Sequence, residues 1–419
     1  MTDSAPVDAP APHDPYVALR HREFRWYIVS LFAMTLGSQL QAVVVGWQVY
    51  SITHDPLALG LIGLAEVLPF IAMALPGGYL ADRLNRRTVE VVGLAVLVLC
   101  AVALLLLSAT PGFLARTGVL PIYAVIFVSG IARSILQPAR QALSSELVPR
   151  AHLQNAIAWR SSSWQIAAVA GPAIGGLLYG FSGPVVAYSV DVGLMVCALA
   201  GMTTMRYEPG ERVPSAQPIG INLLVGLKFV FGQPVILAAM SLDLFSVFLG
   251  GAEALLPVFA SEVLHVGPQG LGILRAAPAA GAVTMGLYLA HRRPFERAGR
   301  SMLLAVCVFA VCIIGFGLSK NFWLSLALLA VSGMADSVSV VIRSSLLQML
   351  TPPDMLGRTS AVNSVFVGSS NELGAFESGV AARLFGAVPA VVAGGVAALV
   401  VVMITARVVP ALRRLERIT

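Results

Sequence analysis

GGYLADRLNRR (77–87) stands between two apolar runs, and GLYLAHRR (286–293) echoes its beginning 209 residues later. The same offset carries Gly63 and Pro69 onto Gly272 and Pro278. Further on, an offset of 203 carries Ser129-Gly130, Arg140, Leu143, Leu147, Pro149, Leu153 and Gly171 onto Ser332-Gly333, Arg343, Leu346, Leu350, Pro352, Leu356 and Gly374. Agreement at so many glycines, prolines and arginines marks an internal repeat, so the chain reads as two halves of one design.

The sequence around these halves is written for lipid. Of 419 residues 57% are hydrophobic and 11% charged, with a mean hydropathy of +0.84. A soluble domain is about 45–50% apolar and about 25% charged, so these side chains could not cover a surface in water. That excludes a soluble enzyme, a nucleic-acid-binding module and a disordered scaffold. Apolar runs fall near 24–50, 57–80, 88–108, 119–142, 156–178 and 183–205, then 234–258, 267–290, 301–319, 322–345, 359–384 and 387–407. Each has the length, about 20 residues, that a helix needs to cross a bilayer. Twelve spans predict an all-α integral membrane protein of two six-helix bundles, related by an axis along the membrane normal, with a binding site near the midplane between them.

Charge orients the chain. On the reading that the N-terminus is cytoplasmic, 22 of the 27 Lys/Arg fall in cytoplasmic loops, tails and span ends. Arg116, Lys320 and Arg383 fall outside, while Arg133 and Arg275 lie within spans. The positive-inside rule then places both termini in the cytoplasm and the protein in the cell inner membrane. Residues 1–19 begin MTDSAPVDAPAPHDP, with four prolines and no basic residue before Arg20, the reverse of a signal peptide. They read as a disordered cytoplasmic tail, followed by bundles over 20–205 and 234–408 and a second tail over 409–419. Between the bundles, 206–233 reads as a linker whose second half is an interfacial helix. Cys100, Cys197, Cys307 and Cys312 all sit in apolar runs and read as small buried side chains; no cysteine or histidine cluster suggests a metal, and no cofactor is implied.

The stretch Gly78-Tyr-Leu-Ala-Asp82-Arg83-Leu-Asn85-Arg86-Arg87 resembles the signature loop between spans 2 and 3 of the major facilitator superfamily, Gly-x-x-x-Asp-Arg-x-Gly-Arg-Arg. Asn85 replaces the usual glycine and is expected to tolerate a left-handed backbone there. Span 5 carries Gly171-Pro172-Ala-Ile-Gly175-Gly176, where proline frees a carbonyl and glycines admit a close neighbour. It is similar to the end of the span-5 motif of proton-coupled drug antiporters, with Ala167 or Ala168 in place of the upstream glycine; helix packing alone is the competing reading. With Pro138-Ala139-Arg140 and Glu146 to Arg150, the chain resembles the branch containing enterobactin exporters and macrolide efflux proteins. The resemblance implies gating through Gly78, Asp82, Arg83, Arg86, Arg87 and Arg140, with an Asp82–Arg140 latch on the cytoplasmic side.

Charges inside spans are costly and are functional candidates by default. Asp243, Asp336 and Glu66 are candidates for carrying a coupling proton. The repeat superposes Arg133 on Asp336 and Glu66 on Arg275, so opposite signs at matching positions suit a charge pair across the two halves. Arg275, Asp191, Glu253, Glu372 and Glu377 are further charges in the runs, and static pairing or snorkelling competes with a transport role for each. Polar side chains on single helix faces, together with neighbouring aromatic and amide groups, suggest a wet cavity formed by Gln41, Arg133, Trp164, Gln165, Asn363 and Asn371. Interhelical hydrogen bonding without ligand would use the same residues.

The function expected is export of an amphipathic small molecule, siderophore or drug-like, by alternating access and proton antiport. The partners are substrate, proton and bilayer, without nucleic acid, and the protein is expected to be a monomer. No Gly-x4-Gly-Lys-Ser/Thr pattern points to ATP, and no Ser/His/Asp constellation points to an enzyme. An importer or uniporter of a polar metabolite, and a non-transporting membrane sensor or scaffold, are the alternatives.

Overall fold

The computed structural model describes residues 14–110, 112–207, 219–292, 295–352 and 355–415, with their side chains except those of 74, 75, 77–83, 219–223 and 361. Most of the expected tails' outer residues, the middle of the linker, and the side chains of Gly78, Asp82 and Arg83 lie outside the described residues.

In the first half the helices are α1 (Arg22–Thr53), α2 (Pro56–Arg83), α3 (Arg86–Ala109) and α4 (Leu120–Glu146), then α5 (153–182) and α6 (184–204). The last two form one continuous run, not two helices separated by a loop. The chain turns between them at Gly183 alone, where φ is 79° and ψ 179°, a conformation closed to most side chains; Pro184 then opens α6. The second half contains α7 (Ile219–Gly232), α8 (Pro234–Leu249), α9 (Gly267–Ala290), α10 (Ala298–Leu318), α11 (Phe322–Leu350), α12 (Leu356–Phe385) and α13 (Ala387–Val408). The seventh span differs from expectation. Its helix stops at Leu249, and after Gly250-Gly251 the chain continues through short turns to a π-helical turn at Phe259–Val263.

Bundle packing repeats as the sequence does. A side chain added at Gly130 of α4 would meet Pro69 of α2, and one added at Gly333 of α11 would meet Pro278 of α9. Those are the positions that the two offsets superpose. Lipid gives no hydrophobic drive for helices to associate, so close approach at small residues supplies the attraction instead. α7 packs its Val230 into a cluster with Ile236, Met240, Leu347 and Val362, which covers its apolar face with protein of the second half.

Both described chain ends lie at one end of the bundle. The Pro15 carbonyl accepts from Asn155 and Trp159 at the start of α5, and the Leu415 carbonyl accepts from Gly299 N–H at the start of α10. At the opposite end, here the far end, one buried cluster is shared by both halves: Val43, Tyr50 and Leu59 pack with Leu255, Phe259, Leu271 and Leu274. Toward the chain ends the two large clusters, around Phe24 and Leu136 and around Leu242 and Met302, each belong to one half. The halves are sealed together at the far end.

Candidate functional site

The seal is built from glycines. Gly60 of α2 approaches the backbone of Phe376 and Gly379, and Gly63 approaches the carbonyl of Glu372, so α2 and α12 touch backbone to backbone. Gly176 of α5 meets the Cα of Gly272 of α9 in the same way, with the Pro172 carbonyl alongside. Gly171 and Gly175 instead face α1 at Leu36, Gln39 and Leu40, so the span-5 stretch packs on two neighbours at once. Polar contacts close the rim. Tyr50 donates to Glu262 of the π-helical turn. Asp55 caps α2, accepting from Leu57 N–H at 2.9 Å, and its other oxygen lies 3.1 Å from Arg383 of α12.

Beneath the seal lies a charged centre. Arg133 of α4 donates to Glu66 of α2 at 2.7 Å and to Gln41 of α1 at 3.2 Å. Glu372 of α12, whose carbonyl Gly63 of α2 approaches, lies within electrostatic reach of Glu66, of Arg133 and of Arg275 on α9. Glu66 and Arg133 remain 26% and 34% exposed, so the centre is not sealed from water. Asp191 of α6 is fully buried against Gly37, within reach of the Arg133 charge, and neither oxygen has a hydrogen-bond partner among the described residues.

The expectation of an Arg133–Asp336 pair is not met: Arg133 bonds within its own half. Of the other pair of repeat positions, Arg275 lies near Glu372 within the second half, whereas Glu66 approaches Glu372 from the first. Asp336 instead lines a small gap inside the second half with Asp243, Ser246 and Ser339, whose hydroxyls lack partners among the described residues. Asp243 is held by Arg343. The offset of 209 carries Met34 onto Asp243, and Arg140, the counterpart of Arg343, touches the Met34 sulfur at 2.9 Å. One contact is thus kept in both halves with different chemistry.

At the terminal end Arg140 pairs with Glu90 of α3, Nε to carboxyl oxygen 3.3 Å, an acid that sequence reading passed over because it lies at a span edge. Arg86 binds Glu146, and Arg87 donates to the carbonyls of Met202 and Thr203. Asn85 is not left-handed. At φ −62° and ψ 118° it is the N-cap of α3, its side chain accepting from Arg87 N–H at 3.0 Å. Of the cavity candidates, Gln41 and Arg133 meet at the centre; Trp164 and Asn371 are exposed, Gln165 and Asn363 half-buried. Glu372 and Arg275 were visible only as stray charges in apolar runs, because their depth and facing belong to the assembled bundle.

Two six-helix bundles with a charged centre between them define a secondary transporter of the major facilitator type. The chain belongs to the transmembrane secretion effector family, whose model matches residues 13–418. It is 28% identical to the enterobactin exporter EntS of Escherichia coli O1:K1 / APEC, over 95% of this chain and 94% of that one. It is 27% identical to that of Shigella boydii serotype 18 with the same coverage. Among solved structures, a bacterial homologue of the human lysosomal transporter Spinster, inward-facing and unoccupied, superposes with a TM-score of 0.71 at 16% identity, covering 97% of this chain and 99% of the other. A POT family transporter in complex with a thioalcohol-conjugated peptide superposes with a TM-score of 0.72 at 12% identity, covering 93% and 96%. The chain is therefore a multi-pass membrane transporter and not an enzyme.

Proposed function

We propose that this transporter exports an amphipathic small molecule of siderophore type across the inner membrane, by alternating access coupled to proton antiport. The similarity to enterobactin exporters along 95% of the chain carries the substrate class and direction. The seal at the far end, with a charged centre exposed beneath it, supports alternating access. On this reading both termini are cytoplasmic, so the cavity opens inward and the protein works as a monomer in the bilayer. Bundles over 20–205 and 234–408, joined by 206–233, rock about the centre. Glu66, Asp243 and Asp336 are the proton-coupling candidates, although Asp243 is already engaged by Arg343. Gln41, Arg133, Trp164, Gln165, Asn363 and Asn371 line the substrate path. Gly78, Asp82, Arg83, Arg86, Arg87 and Arg140 gate its cytoplasmic side.

The test is enterobactin uptake into inside-out vesicles containing the full chain. Uptake driven by an inside-acid pH gradient, and lost in Asp82→Asn at equal membrane level, is the expected result. Gradient-independent uptake would remove antiport, and wild-type uptake in Asp82→Asn would remove the gate.

A further inference from the structure

Two helices of the second half carry the same short pattern. α8 has Asp243 and Ser246, and α11 has Asp336 and Ser339, three residues apart in each case and therefore on one helical face. All four line one gap of about 10 Å³, room for a single water-sized particle, with apolar walls that include Val306 and Phe309 of α10. Ser246 and Ser339 are 3% and 2% exposed, and neither hydroxyl has a hydrogen-bond partner among the described residues. A buried hydroxyl without a partner is costly, and two of them around one gap point to a particle between them. We propose that Asp243, Ser246, Asp336 and Ser339 form a binding site for one monovalent cation of sodium's size inside the second half. The site goes beyond the antiport reading and does not rest on it.

Charge selects a cation over a water. Asp243 is bound by Arg343, so that pair is neutral. Asp336 has no ion pair among the described residues, which leaves one negative charge at the gap. Glu253, exposed in the turn after α8, lies within electrostatic reach of Asp336 and adds to the negative potential there. α10 and α13 offer no Asp, Glu, Lys, Arg or His over 301–318 and 387–406. Ser246 belongs to the last turn of α8, and the C-terminal end of a helix favours a positive charge. An uncompensated charge among apolar helices is costly, so one positive charge is its stable complement. A water satisfies the hydroxyls and leaves the carboxylate unanswered. A divalent ion overcompensates, and magnesium brings waters for which the gap has no room. Donors that are all oxygens suit a hard cation.

The internal repeat shows why the second half alone carries this set. The offset of 209 carries Met34 and Gly37 onto Asp243 and Ser246, and that of 203 carries Arg133 and Leu136 onto Asp336 and Ser339. In the first half a guanidinium on the chain itself stands where Asp336 stands, and it answers Glu66. In the second half the positive charge comes from solution. Asp336 is only half-buried, which leaves a way in. Asp243 and Asp336 are also candidates for the coupling proton, so cation and proton compete for the same oxygens.

The experiment uses the purified full chain in lipid nanodiscs and radioactive sodium. One sodium bound per chain is expected, displaced by unlabelled sodium and not by choline at equal ionic strength. Ser246→Ala with Ser339→Ala should weaken binding by about tenfold or more, and Asp336→Asn should abolish it. Ser344→Ala, exposed on the same helix, should bind as the wild type does. Thermal unfolding should show a saturable rise of about 2–4 °C with sodium in the wild type and none in Asp336→Asn. Absence of bound sodium in the wild type overturns the proposal and leaves the gap to a water. Binding undiminished in both the serine pair and Asp336→Asn overturns it too, by placing the ion elsewhere. If Asp336→Asn does not fold, the serine pair, which alters no charge, gives the decision alone. Enterobactin uptake in sodium-free medium separates the readings. Uptake indifferent to the pH gradient, with sodium binding intact, removes antiport and leaves the site, while gradient-driven uptake by a chain that binds no sodium removes the site and leaves antiport.

Discussion

Arg133 is the residue on which the centre depends. It donates to Glu66 and Gln41 and faces Asp191 and Glu372, so removing it strands several carboxyls at once. Breaking one side of a buried ion pair costs about 3–5 kcal/mol, and the partial hydration of Glu66 places this pair at the lower end. Arg133→Ala should lower the thermal unfolding temperature in detergent and abolish most efflux. Exchanging the signs, Arg133→Glu with Glu66→Arg, should recover part of both, whereas Arg133→Asp with Asp336→Arg should recover neither, because those two side chains do not meet. Efflux at matched membrane levels decides between the two exchanges. At the loop after α2, Asn85→Ala removes a helix cap, and a loss of about 1 kcal/mol in unfolding free energy is expected, without effect on substrate affinity.

At the scale of helices, two crossings between the halves, α2 with α12 and α5 with α9, are made by small residues, and bulk there should act on one conformational state. Gly176 and Gly272 touch Cα to Cα. Any side chain at either position must push α5 from α9, so Gly176→Val should open the far end while leaving each bundle folded. Accessibility of a cysteine at Leu59, buried in the cluster shared by the two halves, to a membrane-impermeant thiol reagent should then rise, and unchanged labelling would show that this crossing does not seal the path. Gly171→Val is a control of a different kind. It would clash with α1 inside the first half, and should reduce folded protein instead of shifting its state. α12 shows why a span can be both necessary and poorly marked: with Asn363, Ser370, Asn371, Glu372 and Glu377 it is polar along its length, because it lines the interface and not the lipid.

For the whole molecule, the balance between far-end-closed and far-end-open states is set by few polar contacts over an apolar seal. Asp55–Arg383 is partly exposed, and pairs of this kind contribute about 0–1 kcal/mol. Tyr50–Glu262 adds a second tie at the same rim. Arg383→Gln alone should change transport little. Arg383→Gln with Tyr50→Phe should shift the distance distribution between spin labels placed at exposed Ile52 and Leu384, one in each half at the far end, toward separation and speed opening, and an unchanged distribution would assign the closure to apolar packing alone.

Much of the architecture was legible beforehand for a simple reason. A span is a local property, a run of apolar residues as long as a bilayer is thick, and a repeat is a property of the string. Residue spacing alone therefore placed the helices to within a few residues and paired Gly130 with Gly333 and Pro69 with Pro278, and the superfamily followed from the stretch at 78–87. The break after Leu249 was hidden by continuous apolarity through Gly250-Gly251, and the turn at Gly183 by its lack of any polar loop. Which charges meet was decided only in three dimensions. Arg133 could face Asp336 or Glu66 as far as its position in the string allows, and the rotation and depth of α2, α4 and α12 settled it. Helix rotation is set by packing at Gly60, Gly63 and Gly130, where neighbouring backbones come into contact, and that packing brings Glu372 to Glu66 across the interface between the halves.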